Sequence, residues 1–107
     1  MLMLGWTTVE SKADAERIAD ELVRSGLAAC VQIDGPITSV YRWEGQLKHD
    51  QEFRLLVKFL PTKAHEVAER LAKHHPYATP EWVVLRAEEV SEKYLSWARA
   101  NSTSAPL

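Results

Sequence analysis

Cysteine is almost absent from this sequence of 107 residues, and the single one, Cys30, cannot form an internal disulfide bond. A lone thiol is typical of a reducing compartment, so we expect a cytoplasmic protein. Long hydrophobic runs are also missing, since none approaches the roughly 20 residues that a membrane-spanning helix needs. The first residues lack the basic start of a secretion signal. We therefore expect no membrane partner.

Neither sign of charge dominates, with 13 Lys and Arg against 15 Asp and Glu and a net charge of −2. Nucleic-acid binding requires a basic patch, and the sequence has no run of five basic residues. Only four glycines are present, and they form no phosphate-binding loop. We therefore expect no nucleic-acid partner. A chain this short has a small core, so self-association would add to the apolar surface that it buries.

The first half of the chain shows clear periodicity. An apolar run over residues 2–7 predicts a strand. Ser11 is suited to cap a helix that ends at Gly26, because apolar residues then recur at helical spacing: Ala15, Ile18, Ala19, Leu22 and Val23. The uniformly apolar residues 27–33 predict a strand covered on both faces and broken by Asp34-Gly35-Pro36.

The second half predicts a hairpin, a helix, a strand and a last helix. Glu44-Gly45 is a turn, and the strand that follows alternates regularly through Phe53, Leu55, Val57 and Phe59. Thr62 is the expected cap of a helix that Pro76 ends. Residues 82–85 predict a buried strand, and Ser91 is the expected cap of the last helix.

This order of elements predicts an α+β fold, a ferredoxin-like βαββαβ sandwich with an extra C-terminal helix. We expect residues 1–100 to form a single domain and residues 101–107 to form a disordered C-terminal tail. RNA-recognition domains use the same strand order, but the strand over residues 52–60 lacks their aromatic pattern. The fold by itself names no function.

Two adjacent histidines, His74 and His75, stand where Pro76 interrupts the helix. Imidazole nitrogens suit copper, zinc or nickel, and the break in the helix could let both rings converge on one ion. The alternative is a solvated helix end at which the rings bond the last carbonyl groups. No other histidine is close in sequence, so the residues alone leave both alternatives open.

The aromatic residues form a second candidate set. Tyr41 and Trp43 are two residues apart on one strand of the hairpin, so their side chains share a face. Two large aromatic residues placed in this way belong either to the core or to a subunit interface. Pro76 and Pro80 fix a corner that carries Tyr77, Glu81 and Trp82, which is suited to bind a ligand. Cys30, between Ala29 and Val31, reads as a packed and inert thiol.

Four motifs resemble the CutA divalent-cation tolerance proteins in order and spacing. They are Leu-Ala-Ala-Cys-Val over residues 27–31, Ser-Val-Tyr-Arg-Trp-Glu-Gly over 39–45, His-Pro-Tyr-Ala-Thr-Pro-Glu over 75–81 and Tyr-Leu-Ser-Trp over 94–97. The similarity spans residues 2 to about 100. It implies a tight homotrimer similar in architecture to the PII signalling proteins, in which Tyr41 and Trp43 reach a neighbouring subunit.

The resemblance also implies a function in divalent metal tolerance, copper in particular, without catalysis. Copper in a bacterial relative is assigned to a histidine pair and a cysteine at the end of the first strand. This chain has the pair as His74 and His75, but the resemblance places Trp6 at the position of the cysteine. We expect no required cofactor, with Cu(II) or another divalent cation as the candidate ligand. The alternative is a PII-like trimer that binds a small molecule or a protein partner in clefts between its subunits.

Overall fold

The computed structural model describes residues 1–105 and Leu107, and these form one antiparallel sheet of four strands with three α-helices. The strands are β1 (Met3–Val9), β2 (Cys30–Trp43), β3 (Gln46–Phe59) and β4 (Val83–Arg86), in the spatial order β2-β3-β1-β4. The helices are α1 (Lys12–Arg24), α2 (Ala64–His74) and α3 (Glu92–Ala100). The predicted α+β, ferredoxin-like fold with an additional C-terminal helix is confirmed.

Buried and less buried side chains alternate along β3, and this pattern shows which face of the sheet borders the core. Leu55, Val57 and Phe59 are fully buried, and α1 and α2 cover the face of the sheet to which they point. The helices contribute the apolar stripes that the periodicity predicts: Ala15, Ile18, Ala19, Leu22, Val67 and Leu71. On the other face, Tyr94 of α3 contacts Lys58, and a smaller apolar cluster forms there.

Helix capping follows the sequence at two of the three predicted positions. The hydroxyls of Ser11 and Ser91 accept hydrogen bonds from the backbone N–H groups of Asp14 and Tyr94. The prediction for Thr62 is wrong, because this residue lies inside a 3₁₀ turn over Pro61–Lys63 that precedes α2. Proline favours the first position of a helical turn, so Pro61 starts the turn before Thr62 can cap it.

The predicted break at Asp34-Gly35-Pro36 is also wrong, because β2 is continuous through these residues. The register of β2 on β3 shifts between Asp34 and Ile37, so Gly35 and Pro36 form a bulge. Proline has no N–H to give to the ladder, and an edge strand such as β2 tolerates it at a bulge.

Two strands that were expected to be buried are covered on one face only. Gln32 of β2 is exposed between half-buried neighbours, and Val83 and Leu85 of β4 are 52% and 56% exposed. In β4 the apolar side chains of this second face are left uncovered by the other described residues.

The predicted disordered tail includes Pro106, which lies outside the described residues. Before it, Ser102 is buried and its hydroxyl donates a 2.6 Å hydrogen bond to the carbonyl oxygen of Ala98. The first residues of the tail therefore pack against the end of α3, and disorder further along stays a prediction.

Candidate functional site

The hairpin of β2 and β3 extends beyond the rest of the sheet. β1 pairs with β3 only from Phe53 to Phe59, so residues 37–52 form a two-stranded arm. The two-residue turn at its tip places Glu44 at a φ of 49° and Gly45 at a φ of 76°. Turns with two positive φ angles match the twist of paired strands, which keeps the arm regular to its tip.

A cleft of about 1180 Å³ lies between the arm and the loop of residues 75–82 that follows α2. Its arm side includes Tyr41, Trp43, Asp50 and Glu52, which strand alternation and register place on one face. Its loop side includes Tyr77 and Glu81. Further lining residues are Thr8, Glu10, Ser39, Val40, Lys48, Gln51, Ala78 and Thr79.

The structure thus brings together four of the five residues predicted to bind a ligand or to form an interface. Tyr41, Trp43, Tyr77 and Glu81 all line the cleft. Trp82 does not, because its ring stacks on Phe59 at a centroid distance of 6.0 Å and packs over Gly5. Trp82 belongs to the core.

Two phenol–carboxylate pairs organise the cleft. The Tyr41 hydroxyl donates to the carboxylate of Asp50, and this hydrogen bond is the main reason that the pKa of Tyr41 is raised. The Tyr77 hydroxyl donates to Oε2 of Glu52 at 2.9 Å. Burial, and then this bond, raise the pKa of Tyr77. Both phenols therefore stay protonated and act as donors at neutral pH.

Glu81 adds a further carboxylate to the lining of the cleft. Partial burial raises the pKa of its carboxyl group, and the negative charge of Glu52 raises it further. The lining contains four carboxylates, from Glu10, Asp50, Glu52 and Glu81, and one ammonium group, from Lys48. The cleft consequently has an excess of negative charge beside three aromatic rings.

His75 is buried next to the cleft, and both of its ring nitrogens are engaged. Nε2 lies 3.0 Å from the carbonyl oxygen of Thr8 and 3.0 Å from Oγ1 of Thr7. Nδ1 accepts a 3.1 Å hydrogen bond from the backbone N–H of Tyr77. Burial lowers the pKa of His75, which favours the neutral ring. In this arrangement His75 has no free lone pair for a metal ion.

His74 points elsewhere. Its Nε2 lies 3.9 Å from Oε1 of Glu21 on α1, and Arg70 also contacts that carboxylate. A metal site needs three or four ligands, and no group of three or more His, Cys, Asp or Glu side chains suited to a metal occurs in the described part of the chain. The side chains of the described residues do not fit a closed metal site at the histidine pair.

Comparison with known proteins identifies the family. The model of the CutA1 divalent ion tolerance protein matches residues 3–101. The chain belongs to this family. It is 44% identical over 95 residues to the divalent-cation tolerance protein CutA of Thermus thermophilus, covering 89% of this chain and 92% of that protein. The solved Thermus thermophilus structure superposes with a TM-score of 0.90 at 42% identity, covering 94% and 98% of the two chains. A structure titled as the periplasmic protein CutA from Archaeoglobus fulgidus gives a TM-score of 0.91 at 34% identity, covering 95% and 99%.

In this CutA1 family member, the side chain of β1 that meets His75 is Thr7, whose Oγ1 lies 3.0 Å from Nε2. Trp6, the position expected to match the copper-binding cysteine, pairs with Leu56 in β3 and points away from His75. Successive strand residues point to opposite faces of a sheet, so a shift of one residue changes which side chain meets His75. The thiolate is absent in either case, since Cys30 is the single cysteine.

The cleft of this CutA1 family member also contains residues that the sequence analysis missed. Lys48, Asp50 and Glu52 line it, although no sequence motif predicts them as ligand-binding residues. The two-residue turn could have predicted their position, because it sets the register in which Asp50 pairs with Ser39. Asp50 and Glu52 then share a face with Tyr41. None of the helices in the described ranges is long and apolar enough to span a membrane.

Proposed function

We propose that this chain is a homotrimeric, non-catalytic protein of divalent-cation tolerance that acts through a ligand bound in the cleft. The observation that supports this proposal is the convergence of Tyr41, Trp43, Tyr77 and Glu81 on one concave surface. Concave sites with aromatic walls and a few polar groups are the usual form of ligand sites. The effect on metal tolerance is then indirect, since the cleft takes a ligand other than the metal.

Exposed apolar side chains and open sheet edges support the homotrimer. β2 and β4 form the two edges of the sheet, and each pairs with one strand only in the described chain. Leu47, Val83 and Leu85 are 72%, 52% and 56% exposed. Open edges with apolar residues lead to aggregation unless another chain covers them. Three copies related by a closed symmetry would pair these edges, as the resemblance to PII-like trimers implies.

Light scattering on the purified chain tests the assembly. A mass near three times 12.1 kDa supports the trimer, and a monomer overturns it. Native mass spectrometry of the same peak tests the cleft: a bound organic species that is lost in a Glu81→Gln variant supports it. Retention of that species in the variant would contradict the assignment of the cleft.

A second candidate is a Cu(II) or other divalent-cation contact at the histidine pair, centred on His74. The observation that favours it is the 3.9 Å approach of His74 Nε2 to the Glu21 carboxylate, a nitrogen and an oxygen that suit such ions. His65 provides a control on the same helix, because its Nε2 lies 2.7 Å from Glu69, too close for an ion to sit between the two atoms. Calorimetric titration of Cu(II) should lose heat in His74→Ala but not in His65→Ala. Equal heats from both variants would remove this candidate.

The cytoplasmic location is part of the same proposal and rests on the lone thiol of Cys30. Cell fractionation with antibodies against the native chain tests it. Recovery in the cytosolic fraction supports the location, and recovery in a periplasmic or secreted fraction overturns it.

A further inference from the structure

Both kinds of group that line the cleft attract cations. The faces of aromatic rings are negative, and Tyr41, Trp43 and Tyr77 present three such rings. In the single chain Trp43 is 48% exposed and Tyr41 39% exposed, so neither ring is covered by its own protomer. The four carboxylates and the one ammonium group of the lining add a net negative charge. An anionic ligand would be disfavoured in these surroundings.

The carboxylates are spread along the cleft and not gathered at a point. Asp50 and Glu52 are two residues apart on β3, so their side chains leave the strand about 7 Å from each other. Glu81 approaches from the opposite loop. A divalent metal ion needs its oxygen ligands at about 2.0–2.6 Å from one centre. Within the described residues no three such groups gather, so the distribution suits an elongated cation with separated charges.

We propose that the cleft binds a linear aliphatic polyamine. This inference rests on the proposed role of the cleft as the ligand site and names the class of ligand. The ammonium groups of the polyamine pair with Asp50, Glu52 and Glu81, while its methylene segments lie against the rings of Trp43 and Tyr41. Separated charges joined by apolar segments match a wall that carries carboxylates beside aromatic rings.

Glu81 is the carboxylate most available to the ligand. Asp50 and Glu52 each accept a hydrogen bond from a tyrosine hydroxyl, whereas Glu81 is exposed and takes part in none of the ion pairs found among the described residues. An incoming ammonium group would therefore break no ion pair of this carboxylate, on which the more distant charge of Arg54 also acts. Neutralising Glu81 removes charge without disturbing a pair on which the cleft depends.

Calorimetric titration of the intact protein with spermidine tests this inference. We expect saturable binding that weakens about two- to fivefold in Glu81→Gln, the loss of one exposed ion pair. Glu66→Gln is the matched control, because Glu66 is an exposed carboxylate in the first turn of α2, outside the cleft, and its loss should leave the affinity unchanged. Trp43→Leu should also weaken binding about fivefold, since it replaces the ring with an aliphatic side chain.

The results distinguish a failure of the polyamine inference from a failure of the proposed function. Absence of spermidine binding, or an equal loss in Glu81→Gln and Glu66→Gln, overturns the polyamine. Displacement of spermidine by Mg²⁺ at equal charge concentration also overturns it, because the attraction would then be that of any counterion. Light scattering on the same samples reports the trimer independently. A trimer that binds no spermidine refutes only the ligand class, and a monomer refutes the proposed assembly.

Discussion

The backbone N–H of Tyr77 donates a 3.1 Å hydrogen bond to Nδ1 of His75, and this contact determines where the buried ring carries its proton. Because Nδ1 accepts, the proton is on Nε2, which donates to the carbonyl oxygen of Thr8 at 3.0 Å. The ring also contacts that of Tyr77 edge-on, at a centroid distance of 4.9 Å. His75 thereby joins β1 to the loop that carries Tyr77 into the cleft.

Replacing His75 should destabilise the protein more than replacing its neighbour. His75→Ala removes the ring and leaves the carbonyl of Thr8 and the N–H of Tyr77 without this partner, which costs about 2–3 kcal/mol in the free energy of unfolding. Urea denaturation followed by far-ultraviolet circular dichroism measures the change.

His74→Ala is the control for this experiment. His74 is half-buried, and its one ion pair is a 3.9 Å contact with Glu21, so its loss should cost less than about 1 kcal/mol. Equal destabilisation by the two substitutions would contradict the structural role that the hydrogen bonds assign to His75.

The stability of the protein should decrease as the pH falls below about 6.5. Burial lowers the pKa of His75 in the folded state, so the unfolded chain, with the ordinary value of 6.5, takes up this proton first. The contribution of His75 is therefore fully present above pH 6.5 and is lost as the pH is lowered from there towards the folded-state pKa. Urea midpoints measured between about pH 7.5 and pH 5.5 should show this slope.

Two variants identify the group responsible for the slope. His75→Gln should reduce it, because the titrating ring is gone, whereas His65→Gln should retain it, because His65 is an exposed residue of α2. A slope that persists unchanged in His75→Gln would assign the pH dependence to another group.

The fold could be predicted from the sequence wherever a local rule decides the outcome. Ser11 and Ser91 cap helices because their hydroxyls accept from an N–H three residues on, and the alternation of β3 places Leu55 in the core because strands have a period of two. The continuity of β2 through Pro36 was not predictable in this way. It depends on pairing with β3, which no local rule contains.

The candidate site was less predictable because its contacts join distant parts of the chain. Tyr77 and Glu52 are 25 residues apart, and His75 and Thr7 are 68 residues apart. The motifs indicated Tyr77 and His75 but not the partners that define their roles. The resemblance pointed to Trp6, whereas the side chain that meets His75 is that of its neighbour Thr7, on the opposite face of the strand.

Adding a methyl group at Gly5 should destabilise the core. A Cβ at this position would lie 2.3 Å from the ring of Trp82, which stacks on Phe59 and cannot move freely. Overpacking of this kind costs about 1–3 kcal/mol, so Gly5→Ala should lower the free energy of unfolding by that amount. Thermal and urea unfolding both measure it.

A second substitution tests whether contact with Trp82 causes the destabilisation by Gly5→Ala. In the double variant Gly5→Ala, Trp82→Leu the smaller side chain leaves room for the methyl group, so the two single losses should sum to more than the loss in the double variant. Strict additivity would show that the cost at Gly5 arises from something other than contact with Trp82.

Charging the exposed face of β4 should dissociate the proposed trimer. Leu85 is 56% exposed in the protomer, and placing a lysine there costs little for the isolated fold, because the side chain already faces solvent. At a subunit interface the same lysine would be buried without a partner, which costs several kcal/mol for each copy. Leu85→Lys should therefore lower the mass measured by light scattering from three times 12.1 kDa towards the monomer. Leu107→Lys, at an 87% exposed leucine of the tail, should keep the mass of the wild type. A trimer that persists in Leu85→Lys would place the interface away from β4.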